Sequence, residues 1–567
     1  MNSLDSLKQK IEILNQFDDH QKEEKGSILK EIDEFLGTIT VPMDIREKRS
    51  KDLQLPSSVE RLEPKTEEEI QNIIQDAYND KEPTIVRVIG AAHSLPSAIL
   101  TAKDIPKNTK VKLISLTKFR GVVINDAEQI AIALAGTNLG QDPENEDSTI
   151  ENGLLYQLNQ RGYSLPNTGG VIHQTVGGFL STGSSGGTLI HSLFEAVIGI
   201  RIIDGTGKIH DLKISDTDNS KFLAAGVSMG LLGIITKVTF KLGKKFFITG
   251  TQTISPIKPL SRDINVGSPI DIFGDGDKDQ DIPSLFDYLS NSMDYDAEFG
   301  RILWWPQDGV DRLTIWKAKK TQKLDGTDLP VNPYELFPEV FNSQVPAQLA
   351  VSLILKLLNI VRSPNKVFKK IATFLYGAFN PIGIQSFQDY WWRGLPMDDK
   401  LDIKILPVAF SELWFPLDKI KVIMNELQQL FKNNPESIGN LFVEIYTAKK
   451  SSFWLNPGYE TNSVRIGLNY NLGDPCGTPE AHFNHYWKAL KHHTFRCHWG
   501  KYMPKYYSKR IPSLYPKLKD WMDIREEFDP KQIFVTLYWR KLFNIKPGPK
   551  NFHLETFEQL IKPIQSK

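Results

Sequence analysis

Residues Thr168–Gly187 read TGGVIHQTVGGFLSTGSSGG, the densest glycine stretch of the chain. It holds seven glycines, and it carries four hydroxyl side chains near its end, Ser181, Thr182, Ser184 and Ser185. A loop of this composition offers many backbone N–H and hydroxyl donors, which hold a pyrophosphate without needing net positive charge. It is not a Walker loop, because no Gly-Lys-Ser/Thr follows, and it is not a GxGxxG on a first strand–helix turn. The ligand has to be inferred together with other motifs.

A second motif, RVIGAAHSLPS (Arg87–Ser97), lies earlier in the chain at the end of a predicted buried strand, TIVRVIG. The glycine and two alanines after the strand let the backbone pass close to a ligand. They also leave His93 projecting from the turn, where loop residues often bind ligands. A histidine at a strand end is more often a local hydrogen-bonding group, so His93 does not define a site by itself.

The sequence around these motifs alternates between helical and strand patterns. EEEIQNIIQDAY predicts a helix, and VKLISL, GVVIND and QIAIALAG predict strands. GLLYQLNQRG (Gly153–Gly162) predicts a helix that ends at glycine. AVIGIRIIDGTGKIHDL predicts a hairpin that turns at Asp204-Gly205, and SMGLLGIITKVTFKL (Ser228–Leu242) predicts a closing strand.

Composition excludes several classes of protein. The 567 residues include 68 Lys plus Arg and 68 Asp plus Glu, so there is no overall charge to attract nucleic acid or an anionic membrane. Two cysteines, Cys476 and Cys497, outside any CxxC pair, exclude a disulfide-stapled scaffold and a thioredoxin-like motif. The length predicts two or more domains. Met1–Lys30 is charged throughout and lacks the apolar core of a signal peptide, which predicts a cytoplasmic location.

Beyond this first part, the sequence predicts an appendage, a linker and a second domain. Residues 1–50 have the pattern of an amphipathic helix, and Asp263–Asp281 predicts an exposed loop or linker. The composition then becomes aromatic, with strand patterns in KILPVAFSELWF and NSVRIGLNYNL. The apolar stretch Ala347–Val361 is too short to span a bilayer and contains Lys356, so a core helix is favoured, with peripheral membrane contact left open.

The order and spacing of the motifs closely resemble the vanillyl-alcohol oxidase flavoprotein superfamily. The resemblance rests on a strand with GxxHS, then PNxGxxxxxTVGGxxSTGxxGG, then SMGLLGIITKV. Within that superfamily the chain is similar to the sugar-1,4-lactone and alditol oxidase branch, which includes the gulonolactone and D-arabinono-1,4-lactone oxidases. HWGK (His498–Lys501) is the most branch-specific signature, and FDPKQIF (Phe528–Phe534) fits the closing segment. The resemblance runs from about Val59 to Tyr538.

The resemblance implies FAD as the cofactor. His93 matches the histidine that, in many members, forms a covalent bond to the flavin 8α-methyl group. Ile234 and Ile235 match the strand that flanks the adenosine half of the cofactor. The other cofactor-binding positions that the resemblance implies are Gly90, Ala91, Ala92, Ser94, Gly177, Gly178, Ser181, Thr182, Gly183, Ser184, Ser185 and Gly187.

The resemblance also implies the catalytic positions. VEIYTAKKSSFWLNP (Val443–Pro457) is similar to an active-site strand with glutamate, one spacer and arginine. Glu444 takes the glutamate place and would bind or polarise substrate hydroxyls, but Tyr446 stands in the arginine place. A phenol stabilises anionic charge less than a guanidinium does. Lys501 is the candidate for the positive charge that a reduced flavin needs, or for a substrate contact. His498 is either a general acid/base or a polar contact to the isoalloxazine.

Three further groups of residues have competing interpretations. Arg465 could replace the missing cation, although an exposed or ion-paired arginine is the default. Histidines crowd near the HWGK motif, but their spacing matches no established ligand pattern, so no metal site is predicted. A sugar-stacking surface of tryptophans is less favoured than a place in the core. The residues of these last two groups are His482, His485, His492, His493, Cys497 and His498, and Trp391, Trp392, Trp414 and Trp454.

The expected fold class is α+β, a PCMH-type FAD-binding domain with an antiparallel-sheet cap. The expected parts are the N-terminal helical appendage (1–50), the flavin domain (51–245), the cap (246–495) with a helical insertion, the C-terminal segment (496–545) packing on the flavin domain, and a tail (546–567). We keep these names below.

The expected function is FAD-dependent oxidation of a CH–OH group of a sugar lactone or polyol, by hydride transfer to flavin N5 with oxygen as acceptor. The expected partners are a small-molecule substrate and the electron acceptor, with no nucleic acid and no transmembrane segment. Two alternatives stay open. The aromatic cap and Tyr446 suggest a bulkier, sterol-like alcohol, and the missing arginine suggests a flavin-binding interaction protein with impaired catalysis.

Overall fold

The computed structural model describes residues 53, 55–322, 328–335, 380–399, 408–439, 441–472 and 477–547. The predicted N-terminal appendage, the apolar stretch 347–361, Cys476 and nearly all of the predicted tail lie outside these ranges.

A small parallel sheet contains the strand that leads to His93. Its order is β1-β3-β2, with β1 at Glu60–Leu62, β2 at Thr84–Ile89 and β3 at Lys110–Ser115. Helix α1 (Glu67–Asn79) connects β1 to β2; its N-terminus is capped by Thr66, and its buried face includes Ile70 and Ile74. The buried strand and the amphipathic helix predicted here are both confirmed: β2 is buried on both faces, and α1 buries the face that its apolar period of 3.6 predicts.

A five-stranded antiparallel sheet completes the flavin domain. Its order is β4-β5-β9-β7-β8, with bounds Val122–Asn125, Ile130–Leu134, Ile234–Lys241, Val197–Ile203 and Ile209–Lys213. A further pair joins β6 (Tyr163–Ser164) to β10 (Gly243–Lys244). The predicted β7–β8 hairpin is confirmed: Asp204 Oδ1 accepts hydrogen bonds from the N–H groups of Thr206 and Lys208, which fixes the turn.

The glycine stretch is not the continuous loop that the sequence predicts. It contains helix α4 (Val176–Thr182), which Thr175 caps through the N–H of Gly178 and which ends at Gly183 with φ +76°. A positive φ at the end of a helix favours glycine, since a Cβ there is strained. The other helices of this domain are α2 (Pro96–Ile99), α3 (Leu154–Gln160), α5 (Leu193–Ala196) and α6 (Ser220–Ala225).

The cap is built on an eight-stranded sheet whose printed pairings are all antiparallel, in the order β14-β11-β13-β12-β16-β17-β15-β18. The bounds in chain order are β11 Phe247–Pro256, β12 Phe299–Trp305, β13 Arg312–Thr321, β14 Gly383–Tyr390, β15 Val408–Pro416, β16 Val443–Ala448, β17 Ser463–Asn471 and β18 Arg496–Cys497. The predicted strands within 404–415 and 462–472 correspond to β15 and β17. The expectation of an exposed linker at 263–281 is wrong in part, because Ile270 and Ile272 are 3% and 2% exposed and pack into the core.

Helices flank the cap sheet and form the C-terminal segment. They are α7 (Leu285–Ser290), α8 (Trp391–Gly394), α9 (Ile420–Asn433), α10 (Pro479–Ala489), α11 (Tyr507–Leu514), α12 (Leu518–Phe528) and α13 (Leu537–Phe543). Short 3₁₀ turns lie at Ala102–Asp104, Leu116–Lys118, Ser292–Tyr295, Leu417–Lys419 and Pro435–Ser437. None of the helices in the described ranges combines the length and apolar character needed to cross a membrane.

The C-terminal segment contacts both larger parts of the molecule. Its first residues form β18 and extend the cap sheet. Its later residues bond to the flavin domain, where the N–H of Val86 donates to Ile533 O at 2.8 Å and the indole of Trp539 donates to Ala98 O at 3.0 Å. The segment therefore brings the HWGK motif to the junction of cap and flavin domain.

Candidate active site

A deep cleft in the flavin domain lies between the turn after β2 and helix α4. It encloses about 850 Å³, including its open mouth. Ten of the predicted cofactor-binding residues line it: Gly90, Ala91, Ala92, His93, Ser94, Gly177, Gly178, Ser181, Thr182 and Ile235. The two glycine motifs, which are about 80 residues apart in sequence, thus form one site. Ile234 is buried beside it and does not line the cleft.

The turn that carries His93 is tightly constrained. A Cβ on Gly90 would lie 2.3 Å from Thr175 Oγ1, so only glycine lets the turn approach the start of α4 this closely. Ala92 has φ +54°, a backbone conformation that costs energy for a residue with a Cβ. Strain of this kind is often found at ligand-binding turns, and here it sets where His93 enters the cleft.

Arg87 forms part of the cleft wall, and the sequence analysis gave it no role. Its guanidinium donates to five backbone carbonyls, those of Ala98, Ile99, Met229, Gly230 and Phe534, at 3.0–3.3 Å. Burial lowers its pKa to about 10, which still leaves it charged near neutral pH. Because all five N–H groups are used, Arg87 joins three segments around the cleft and does not serve as a phosphate ligand.

Helix α4 has fewer free donors than its composition suggested. The N–H of Gly177 donates to Ala135 O at 3.0 Å, and that of Gly178 donates to the capping Thr175. Ser181 Oγ and Thr182 Oγ1 lie within hydrogen-bond distance of the carbonyls of Gly177 and Gly178. A phosphate at this helix would compete with these internal bonds.

The loop after α4 leaves the cleft and meets the cap. Ser184 Oγ lies 3.3 Å from His498 Nε2, and the carbonyls of Ser185 and Gly186 accept from Arg465. Gly187 O accepts from the N–H of Gly300 at 2.8 Å. Of the predicted cofactor-binding residues, Gly183, Ser184, Ser185 and Gly187 therefore lie at the junction between the two domains.

A buried cluster of charged side chains lies on the cap side of this junction, around Glu412. This carboxylate is fully buried on β15 and binds Lys501 Nζ at 2.5 Å and Arg465 Nε at 3.1 Å. Burial alone would raise the pKa of Glu412, but Arg465 and Lys501 hold it well below its ordinary range. The sequence analysis did not select Glu412; the available signal was a charged residue within an otherwise apolar strand, SELWF.

Tyr446 and Arg465 are direct cross-strand partners of β16 and β17. The guanidinium carbon lies 3.8 Å from the ring centroid of Tyr446 and 4.8 Å from that of Trp414, its partner on β15. Arg465 is 3% exposed and ion-paired with Glu412, so the ion-paired interpretation is the one found. Burial raises the pKa of Tyr446 well above its usual value, so the side chain is a neutral phenol.

Glu444 lies close to the same centre. Burial and the negative charge of Asp398 raise its pKa to about 7, while Arg301 opposes that shift. Arg301, itself 3% exposed, forms an ion pair with Asp398 and lies 3.5 Å from Glu444 Oε1. Neither Arg301 nor Asp398 was selected from the sequence. Gly467 on β17 lies between Glu444 and Glu412 and is the cross-strand partner of both.

The HWGK turn connects the charged cluster to the cleft. The N–H of Leu95 donates to Gly500 O at 2.8 Å, and a Cβ on Gly500 would lie 2.8 Å from Ser94 Oγ. His498 Nδ1 accepts from the N–H of Gly500 at 3.1 Å, so a neutral ring carries its hydrogen on Nε2. Burial lowers the pKa of His498 to about 3, which keeps it neutral near pH 7.

The structure also bears on the two less favoured hypotheses, a metal site among the histidines near HWGK and a sugar-stacking surface of tryptophans. Within the described part of the chain, the group with metal-ligand proximity is Glu426, His492 and His493, away from HWGK. Cys497 is buried with a raised pKa. The four tryptophans considered for sugar stacking, Trp391, Trp392, Trp414 and Trp454, are all buried, as the core interpretation expects.

Comparisons with known proteins show the family of the chain. Residues 61–213 match an FAD binding domain family, and residues 276–542 match the D-arabinono-1,4-lactone oxidase family. L-gulonolactone oxidase of Bos taurus is 22% identical over 501 residues, which cover 85% of this chain and 94% of that protein. D-arabinono-1,4-lactone oxidase of Saccharomyces cerevisiae is 30% identical over 183 residues, covering 31% of this chain and 29% of that protein.

A solved structure of cholesterol oxidase from Brevibacterium sterolicum shares the fold, with a TM-score of 0.62, 13% identity, and coverage of 85% of this chain and 93% of that one. The first family match contains the His93 and glycine-rich motifs, and the second contains HWGK. The chain belongs to the sugar-1,4-lactone and alditol oxidase branch of the vanillyl-alcohol oxidase superfamily of FAD-dependent flavoproteins.

Proposed function

We propose that this FAD-dependent oxidoreductase oxidises a CH–OH group of an aldonolactone or a related polyol, with oxygen as the electron acceptor. The observation that carries the proposal is the group of charged side chains next to the turn that carries His93: the buried Glu412, Glu444, Arg301 and Arg465, and the partly buried Lys501. Such a site suits a substrate with several hydroxyl groups, each able to donate and accept hydrogen bonds.

The residues of the cleft fit FAD. Small residues at Gly90–Ala92 leave room for close backbone approach, and His93 reaches the cleft from that turn. We propose these residues and the start of α4 as the binding site of the cofactor, with His93 as the attachment point. When bound, FAD supplies the acceptor for the hydride that leaves the carbinol carbon.

Glu444 is our candidate for handling the hydroxyl proton. A base works best when its pKa lies near the operating pH, and the pKa of Glu444 is raised to about 7. His498 is less suited to that role, because its Nδ1 accepts from Gly500 and its Nε2 hydrogen is directed to Ser184. We therefore propose His498 as a positioning residue at the domain junction, and Asp398 and Arg301 as contacts for further substrate hydroxyls.

The sterol-like alternative has weaker support. Its structural basis is a fold likeness at 13–14% identity, which shows the fold alone. An apolar alcohol offers one hydroxyl to these charged side chains, whereas a lactone or polyol offers several. The impaired-enzyme alternative is left to experiment.

The test is an anaerobic reduction screen of the purified holoenzyme. L-gulono-1,4-lactone, D-arabinono-1,4-lactone, a linear polyol and cholesterol are added separately, and the visible flavin absorption is followed. We expect bleaching by at least one lactone or polyol, with the absorption restored when oxygen is admitted. Bleaching by cholesterol alone would support the sterol alternative, and no bleaching by any of them would support an impaired enzyme.

A further inference from the structure

The cluster around Glu412 has an excess of positive charge. Two cations, Arg465 and Lys501, share this single carboxylate. The nearby Tyr446 is a neutral phenol and His498 is a neutral imidazole, since burial raises the pKa of the first and lowers that of the second. Together with Glu412, these four side chains carry one net positive charge, and Glu444 close by offsets part of it when it is ionised.

Arg465 is the more rigid of the two cations. It is held between the rings of Tyr446 and Trp414, and its Nη1 donates to Ser185 O at 2.7 Å and Gly186 O at 3.2 Å. Lys501 is held through Glu412, and its side chain is 25% exposed. A fixed charge stabilises a developing opposite charge better than a mobile one, because it does not have to reorient.

The position of Arg465 links the cap to the flavin domain. Ser184, next to the carbonyls that Arg465 binds, meets His498, and the His498 turn contacts Ser94 beside His93. The guanidinium thus lies at the junction between the cleft and the cap. Tyr446, directly across the strand pair, brings no charge to this place.

We infer that Arg465 is the fixed cation that raises the electron affinity of the bound flavin, and that Glu412 is the residue that positions it. The cation is thereby supplied from β17, one strand away from Tyr446 on β16. This inference rests on the proposed function, because it requires that the reactive ring of FAD reaches the junction. The competing interpretation is that Arg465 only ties the loop 185–186 to the cap.

The experiment measures the two-electron reduction potential of the FAD-loaded protein against a reference dye. Arg465→Gln removes the charge, Arg465→Lys keeps it without the forked donor, and Tyr446→Arg combined with Arg465→Tyr moves it to the opposite strand. Arg393→Gln is the matched control, because Arg393 is a cap arginine that pairs with Asp389 away from the cluster.

We expect Arg465→Gln to disfavour reduction about tenfold, which corresponds to about 30 mV for a two-electron couple. The exchanged pair and the control should stay within about threefold of the parent, whereas Arg465→Lys, which keeps the charge but loses the stacked and forked geometry, should lie between the parent and Arg465→Gln. An unchanged potential in Arg465→Gln, with lower thermal stability, would establish the purely structural role. If Arg465→Gln does not retain FAD, a tenfold loss in the exchanged pair would equally overturn the inference, since an arginine charge is still present on the strand pair.

The reduction-potential measurement and the substrate screen can fail independently. A parent that no lactone or polyol reduces, but whose potential falls in Arg465→Gln, would refute the proposed substrate class and keep the inference. A parent that lactones reduce, but whose potential does not change in Arg465→Gln, would support the proposed substrate class and refute the inference.

Discussion

At the scale of single residues, protonation of Glu444 is the feature most open to measurement. Its pKa is raised to about 7, first by burial and then by Asp398, so the carboxyl is about half ionised at neutral pH. Only the ionised form accepts a proton. In the proposed mechanism, flavin reduction therefore accelerates as the pH rises through about 7 and slows as the pH falls below it.

Asp398→Asn should shift this pH profile. Removing the negative charge of Asp398 also frees Arg301 to pair with Glu444, and both effects lower the pKa of Glu444. We expect the rise in rate to move to lower pH by about one unit. The measurement is the rate of anaerobic flavin reduction by saturating lactone as a function of pH. Asp389→Asn, another cap aspartate paired with an arginine, is the control, and a profile unchanged in Asp398→Asn would contradict the assignment.

The proposed attachment of FAD to His93 can be tested against a neighbouring histidine. A second histidine, His173, lies with its ring 5.6 Å from that of His93, and it pairs with Asp399 at 3.2 Å. We expect acid precipitation to leave flavin on the parent protein and on His173→Ala, and to release it from His93→Ala. Covalent flavin that persists in His93→Ala, or release from the parent itself, would refute attachment at His93.

At the scale of secondary structure, the register of three strands brings the proposed catalytic residues onto one face. Two neighbouring rows run across β16, β17 and β15: Glu444–Gly467–Glu412, and Tyr446–Arg465–Trp414. Residues two apart on a strand share a face, so the rows lie side by side. A shift of one residue in this register would turn these side chains to the other face of the sheet.

Gly467→Ala tests the spacing within the first row. The added Cβ would lie 3.0 Å from Glu444 Oε2 and 3.1 Å from its Cβ, so Glu444 would have to move. Small displacements in a catalytic site are costly, and we expect the rate of flavin reduction to fall about tenfold with FAD content unchanged. Gly300→Ala is the control, because its nearest neighbouring atom would lie at 3.9 Å. Equal rates in the two variants would argue against close packing at Gly467.

At the scale of the whole molecule, the C-terminal segment packs on the flavin domain and reaches the cleft. Trp539 and Trp521 are both buried in this segment, and each indole donates to a backbone carbonyl of the flavin domain, that of Ala98 or Ala224. Trp539 lines the cleft, whereas Trp521 does not. The two tryptophans thus offer a matched pair with similar packing and different positions relative to the cofactor.

Replacing each with phenylalanine should separate the two effects. Both variants lose one indole hydrogen bond and some volume, so we expect each to lower the free energy of unfolding by about 1–3 kcal/mol. FAD affinity, measured by titration in the His93→Ala background, should fall severalfold in Trp539→Phe and stay close to the background value in Trp521→Phe. A similar loss of affinity in both would mean that the segment acts on binding through stability alone.

Local sequence determined much of this protein. The short buried strand before Gly90, the amphipathic pattern of Glu67–Asn79 and the turn at Asp204-Gly205 depend on neighbouring residues, and the structure has all three. The motifs around His93 and HWGK also identified the family and its cofactor. The glycine stretch was assigned as loop because its composition hides helix α4, which a single threonine cap and a glycine end define.

Only the tertiary structure decided how the charged centre is assembled. Glu412, Arg465 and Lys501 come from β15, β17 and a turn near the C-terminal helices, while Arg301 and Asp398 come from elsewhere in the cap. The cost of burying each charge is met by a partner that is distant in the chain, so no local pattern shows which partner it has. Sequence could place Tyr446 where an arginine was expected; strand register placed Arg465 opposite it, since antiparallel pairing fixes which side chains meet across a sheet.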